Sequence, residues 1–352
     1  MIRFTILIFS ALTVSACSSF GYYMDLMAGH SELLEQRKPV VDILAQEQTK
    51  PKLRKLLKTS QKIRDFASNE LHLPENDSYR LYADLKRPYA VWNVVAAKEF
   101  STKPKKWCFL IVGCLSYRGY YSKEDAIVYA NELKTQGYDV YVGGASAYST
   151  LGWFDDPLLN TMMYKSEARR AGVIFHELAH QVVYIDNDSA FNEAFATTVE
   201  QEGIRKWLAR KGKNDKYQEY LRDKHRDSQW NQLLQDTRKQ LKDIYKMKSN
   251  DEEKRQAKQH AFSELQKKYQ QLKKTWNGYN VYDKWMSQDL NNAHLLLVAT
   301  YHDLVPTFKA MLKNENHDMK KFYIAVEKFG ELDKENRNKQ ILQNKQLAKK
   351  EK

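Results

Sequence analysis

Ala171-Gly172-Val173-Ile174-Phe175-His176-Glu177-Leu178-Ala179-His180-Gln181 sets two histidines four residues apart inside an apolar run. Helical pitch brings positions i and i+4 to one face, so the segment commits the chain to a helix whose two imidazoles point the same way. That geometry suits two nitrogen ligands of one zinc ion. Glu177 follows about 100° round the helix, where it meets a zinc-bound water rather than the metal. Zinc lowers the pKa of that water to about 7, and the carboxylate takes its proton as it attacks a carbonyl. Two histidines on a helix surface would give the same short pattern, so the next segment matters. Phe191-Asn192-Glu193-Ala194-Phe195-Ala196-Thr197-Thr198-Val199-Glu200 reads as a second helix. A structural zinc site is closed by a fourth protein ligand, whereas a catalytic one uses three and keeps water in the fourth place. Glu193 supplies the third ligand after His176 and His180, for one Zn2+ per chain. Asn192, Thr197 and Glu200 read as supporting residues, the last two one and two turns beyond Glu193 on its own face. The polar turn from Tyr184 to Ser189 lets the two helices pack antiparallel.

Residues 1–16 read as a signal peptide rather than part of the fold. Met1-Ile2-Arg3 is a short cationic start, and Phe4 to Val14 is apolar but short of the ~20 residues a membrane span needs. The stretch ends in small residues before Cys17, which resembles a bacterial lipoprotein signal. The mature chain would then carry a lipid on Cys17, and Ser18 directs it to the outer membrane, facing the periplasm. Of the three cysteines, Cys108 and Cys114 remain. Export makes a disulfide permissible. An extended segment of that length would hold their α-carbons about 20 Å apart, against a limit of about 7 Å. A bridge needs the chain to double back, which Gly113 eases; two buried thiols are the alternative.

Periodicity and composition divide the rest. Gly21 to about Glu70 is helical in pattern; 86–97 and 107–115 read as strands, Ser122–Gln136 as a helix capped by Ser122, and 138–142 as a strand. Helices at about 165–184 and 190–208 carry the histidine and glutamate motifs. Residues 17–204 thus form an N-terminal α+β region with the zinc helices. The stretch 205–280 holds 21 basic against 10 acidic residues, most of the chain's net +13, on helical spacing that reads as a long antiparallel hairpin. It is a solvated face or a membrane-surface contact; no nucleic-acid motif accompanies it. Residues 281–330 return to an apolar helical pattern that closes the cleft, and 331–352 form a polar tail that frays. Only 7 Pro and 13 Gly in 352 residues argue against an all-β fold with many tight turns, and the few cysteines exclude a disulfide-dense scaffold.

His-Glu-Leu-Ala-His-Gln followed by Asn-Glu-Ala-Phe-Ala resembles the gluzincin signature. The wider run resembles the bacterial predicted-aminopeptidase lipoprotein family: Cys-Ser-Ser-Phe-Gly-Tyr-Tyr (17–23), Trp-Cys-Phe (107–109), Tyr-Arg-Gly-Tyr (117–120), Ala-Tyr-Ser-Thr-Leu-Gly-Trp-Phe-Asp-Asp-Pro-Leu-Leu (147–159), Leu-Asn-Asn-Ala (290–293) and Ala-Thr-Tyr-His-Asp-Leu-Val-Pro (299–306). The resemblance implies a zinc peptidase, an aminopeptidase on short peptides, with a mainly helical α+β fold. It also implies a thermolysin-like core, a small β-sheet and a helical C-terminal region. A zinc endopeptidase and a non-enzymatic envelope lipoprotein carrying a structural metal are the alternatives. Two departures from the larger aminopeptidases stand out: the interval to Glu193 is short, and no Gly-Ala-Met-Glu-Asn segment is present to bind a substrate amine. In gluzincin folds an edge strand precedes the zinc helix and aligns peptide, which would place Ser149 and Gly152 at the substrate, a structural strand being the alternative. Asp155 and Asp156 are candidate substitutes for the amine anchor, or an ordinary turn before Pro157. Tyr148 and Tyr301 are candidate donors to the oxyanion.

Overall fold

The site rests on three small sheets and a set of helices. A computed structural model describes residues 21–109, 113–146, 155–186, 188–296, 304–333, 335–337, 339 and 341. Helix α1 covers 21–35, followed by β1 (Lys38–Pro39), α2 (Val40–Ala45) and α3 (Pro51–Leu71). Next come β2 (Leu81–Ala83), β3 (Val91–Lys98), β4 (Trp107–Phe109), β5 (Gly113–Leu115) and β6 (Arg118–Tyr120). Helix α4 (Lys123–Thr135), β7 (Tyr138–Ala145), β8 (Leu158–Leu159) and α5 (Asn160–Met163) lead to α6 (Glu167–Ala179) and α7 (Ser189–Arg210). Helices α8 (Asn214–Ile244), α9 (Asp251–Thr275), α10 (Asp283–Met286), a 3-10 turn at Asn292–Leu296, α11 (Val305–Asn314) and α12 (Met319–Glu331) complete the described chain. The mainly helical α+β expectation holds.

Helix 21–70 is not continuous. Pro39 cannot extend a helix, and β1 instead pairs antiparallel with β2, which pairs parallel with β8. The second sheet has the order β6-β3-β7, all antiparallel, with β3 and β7 in register from Val91↔Ala145 to Lys98↔Tyr138. Ala126, Ala130 and Leu133 of α4 bury against Val94, Ala96 and Val140. Ser122 caps α4 by accepting the Asp125 N–H at 3.1 Å, and Gly137 takes φ +78° just beyond its end. The run 107–115 divides into β4 and β5, an antiparallel pair in which Cys108 faces Cys114 directly and the two are disulfide-bonded. Gly113, at φ +70°, supplies the left-handed backbone there.

The main core lies between α3, α6, α7, α11 and α12. Phe66 and Phe175 meet on one side of α7, and Phe191 and Phe195 meet Phe308, Phe322 and Phe329 on another. A Cβ on Gly203 would stand 2.5 Å from the Phe175 ring, so α6 and α7 approach more closely than any side chain there would allow. The hairpin α8–α9 has its own core of Trp230, Leu234, Leu241, Phe262, Leu265 and Tyr269. Its turn ends in a capping box between Asn250 and Glu253. Lys258 pairs with Asp139 at 2.6 Å and Arg255 with Glu99 at 2.7 Å, joining the hairpin to the β3–β7 end of the sheet. Buried Asn292 donates from Nδ2 to the carbonyls of Lys98 and Glu99, while its N–H donates to Asp139. Among the described residues after Glu331, Arg337 pairs with Asp188 at 3.0 Å, and Leu332 and Ile341 pack on the main core. Among the described residues no helix is long and apolar enough to cross a membrane.

Candidate active site

The histidine helix is anchored at both ends. Ser166 accepts the Arg169 N–H at 3.3 Å and starts α6; Ala171, Ile174, Phe175 and Leu178 bury its inner face. Just past His180, Gln181 accepts from Asn76 Nδ2 at 2.8 Å. Asn76 belongs to the 74–78 loop, which wraps fully buried Arg64; its guanidinium donates to the carbonyls of Pro74, Asn76 and Ser78. Asp188 caps α7 by accepting the Phe191 N–H at 3.2 Å. Asn192 then holds the turn, accepting from Ile185 N–H at 2.8 Å and donating to Ile185 O at 2.9 Å. With both ends fixed, Glu193 faces the histidines.

His176 Nε2 lies 3.2 Å from His180 Nε2 and 3.3 Å from Glu193 Oε2, and His180 Nε2 lies 3.7 Å from Glu193 Oε1. Ligands at zinc bond lengths of about 2.0–2.1 Å in a tetrahedron stand about 3.3 Å from one another. The three donors therefore already have the spacing of one tetrahedral face. Electrostatics agree with a cation there. Burial opposes charge on His176, but Glu193, Glu200 and Glu177 outweigh it and hold its pKa up at about 10. Burial, with His176 beside it, pushes His180 down to about 4. Burial works against a charged Glu193, yet the two histidines hold its carboxyl below the usual range. The residues present fit a zinc ion.

Glu200 stands behind the first ligand, its Oε2 3.4 Å from His176 Nδ1. It is itself held by Tyr220, whose hydroxyl donates at 3.1 Å, and by Lys224 at 3.2 Å. Burial opposes its ionisation, but His176 and Lys224 pull its pKa down to about 2. An ionised acceptor on Nδ1 fixes the ring orientation and leaves Nε2 for the metal. Thr197 is buried in the same helix; the contact to His176 comes from Glu200.

A cavity of about 240 Å3 opens beside these groups, lined by His176, Glu177, Glu200 and Val173 on one side and by Tyr220, Asp223, Lys224 and Asp227 of α8 on the other. Lys165 and Arg169 complete it. Glu177 also neighbours fully buried Tyr79, whose pKa is raised by burial first and then by Glu177 and Asp156. Among the described residues lining this cavity none comes from 281–330. The outer wall is the first half of α8.

Cys17, Tyr148, Ser149, Gly152 and Tyr301 lie outside the described residues. The backbone carbonyl of Asp155 accepts from Arg37, just beyond α1, at 3.0 Å, and Asp155 does not line the cavity. The α8 residues were missed from sequence. Their signal was Tyr220, Asp223, Lys224 and Asp227 at i, i+3, i+4 and i+7, which any solvated helix face also shows.

A family model described as "Putative aminopeptidase" matches residues 21–341. Comparison with curated proteins and with solved structures gives no match. Because that match takes in the histidine helix, the glutamate helix, the α8–α9 hairpin and the C-terminal helices together, this chain belongs to the family that the model describes under that name.

Proposed function

We propose that the protein is a zinc-dependent aminopeptidase acting on short peptides, with His176, His180 and Glu193 as ligands and Glu177 as general base. The observation that carries this reading is the convergence of His176 Nε2, His180 Nε2 and the Glu193 carboxylate at 3.2–3.7 Å. Among the described residues three donors converge and no fourth, which favours a catalytic over a closed structural site. Two ligands on one helix and the third on the next is also the thermolysin-like arrangement. A zinc ion bound there would polarise a peptide carbonyl and acidify a water in its open position. Glu177, on the cavity wall beside His176, is the carboxylate that would accept a proton from an attacking water and return it to the departing amine. Glu200 keeps the His176 ring turned toward the site, and Tyr220 and Lys224 keep Glu200 in place. The same reading places the chain on the outer membrane through a lipid on Cys17, and the Cys108–Cys114 disulfide accords with an oxidising compartment. Cys17→Ser should move the protein from the membrane pellet to the soluble fraction; retention in the pellet would remove the anchor.

Glu177→Gln tests the mechanism. Gln still hydrogen-bonds a water but cannot accept its proton, so the variant keeps zinc while kcat falls about 10²–10⁴-fold with KM little changed. His176→Ala should lose both zinc and turnover. Undiminished kcat in Glu177→Gln at equal zinc occupancy would take Glu177 out of the reaction.

A further inference from the structure

The cavity beside the metal ligands has a cation that the proposed chemistry leaves unused. Lys224 is held by Glu200 at 3.2 Å, and Arg169 stands 3.8 and 3.9 Å from Asp223 and Asp227. Lys165 has no carboxylate partner among the described residues. Its ammonium donates to Ser146 Oγ at 2.7 Å, which aims it without neutralising it. Burial pushes its pKa down, Arg169 adds to the effect, and Glu200 only partly offsets them. The cavity also holds carboxylates, but Glu200 is paired with Lys224, and Asp223 and Asp227 face Arg169. Lys165 itself directly precedes Ser166, the cap of α6, and so stands at that helix's positive amino end. A partly desolvated cation that no carboxylate contacts among the described residues raises the free energy of the site, and an arriving anion relieves it.

We propose that Lys165 receives a carboxylate of the substrate. The inference rests on the peptidase reading. Lys165 shares a cavity of about 240 Å3 with His176 and Glu177. The carboxylate it meets is therefore carried by a residue next to the scissile bond. Two sources share that chemistry: the C-terminus of a dipeptide, or the side chain of an Asp or Glu. In either case Lys165 sets which peptides bind, and Ser146 positions it.

Calorimetry on zinc-loaded Glu177→Gln protein, which should bind without turning over, tests this with three probes: alanyl-alanine, alanyl-alaninamide and the α-amide of alanyl-glutamic acid. An ionic hydrogen bond predicts about tenfold or more tighter binding of a probe bearing the carboxylate than of alanyl-alaninamide. Preference for alanyl-alanine identifies the C-terminus, and preference for the glutamyl amide identifies the side chain. Adding Lys165→Met should bring the ratio to about one, and Lys165→Arg should retain part of it. Equal affinity for all three probes, no binding of any, or a ratio that survives Lys165→Met overturns the proposal. Wild-type protein assayed on the same peptides separates the two readings. Discrimination in binding without hydrolysis leaves Lys165 as an anchor and removes the peptidase; hydrolysis without discrimination does the reverse.

Discussion

Asn192 grips both backbone polar groups of Ile185, seven residues back, accepting its N–H and donating to its carbonyl. This pair closes the turn between the helix that presents His176 and His180 and the helix that presents Glu193. Asn192→Ala removes both bonds from a buried position, at a net cost of about 1 kcal/mol each. Stability should fall by about 2 kcal/mol, and zinc affinity by about 10–100-fold as Glu193 loses its fixed approach. Denaturant titration of the metal-free protein and competition with a chelator measure the two effects separately. Unchanged zinc affinity would show that Glu193 is positioned without the turn.

Gly203→Ala pits helix propensity against packing. Alanine is worth up to about 1 kcal/mol over glycine within a helix. Here its methyl would stand 2.5 Å from the Phe175 ring and 2.8 Å from Leu71, both fully buried. Overpacking of this kind costs about 1–3 kcal/mol, so the variant should be less stable than wild type despite its better propensity. Phe175 immediately precedes His176, so a shift of the ring is transmitted to the first ligand. A raised melting temperature in Gly203→Ala would mean that the two helices can separate freely.

His294 makes the fold sensitive to acid at a place remote from the ligands in sequence. Its Nδ1 accepts the Asn291 N–H at 3.2 Å, its ring lies 4.3 Å from that of Tyr141, and Nε2 is buried without a partner among the described residues. Burial pushes its pKa down to about 4, with Lys134 adding and Asp289 and the Asn291 bond opposing. Near pH 7 folded and unfolded chains both hold it neutral. As pH falls from about 6.5 toward 4, only the unfolded chain takes up the proton, and about 2–3 kcal/mol of stability is lost. Urea midpoints at pH 7 and pH 4.5, taken in chelator, should converge in His294→Gln by about that amount. An identical acid loss in wild type and variant would assign the sensitivity to other groups.

The convergence of His176, His180 and Glu193 was legible because its geometry is local. His176 and His180 need one helical turn, and Glu193 needs one short connection. The strand pairing that interrupts the first helix was not legible: β1 depends on Tyr82 and Leu81, more than forty residues on, while Val40 and Val41 keep helical spacing. The run 107–115 hid its reversal because apolar residues continue through it, and Gly113 alone marked the return. Tyr220 and Lys224 were invisible for a different reason. Their role depends on where α8 crosses α6 and α7, and a polar stripe in a strongly basic stretch reads the same whether it faces water or a catalytic cavity.

The clasp between Asn292, Asp139 and the carbonyls of Lys98 and Glu99 bears on how substrate is admitted. Tyr245 donates to Asn292 and Lys258 pairs with Asp139, so the clasp ties the far end of the hairpin to the β3–β7 pair, and α8 meets the cavity as a braced wall rather than a swinging lid. Widening the site by tilting that wall would break several buried hydrogen bonds together. The dimensions of an acceptable peptide are therefore set when the chain folds, and selection operates at entry, as with a fixed aperture.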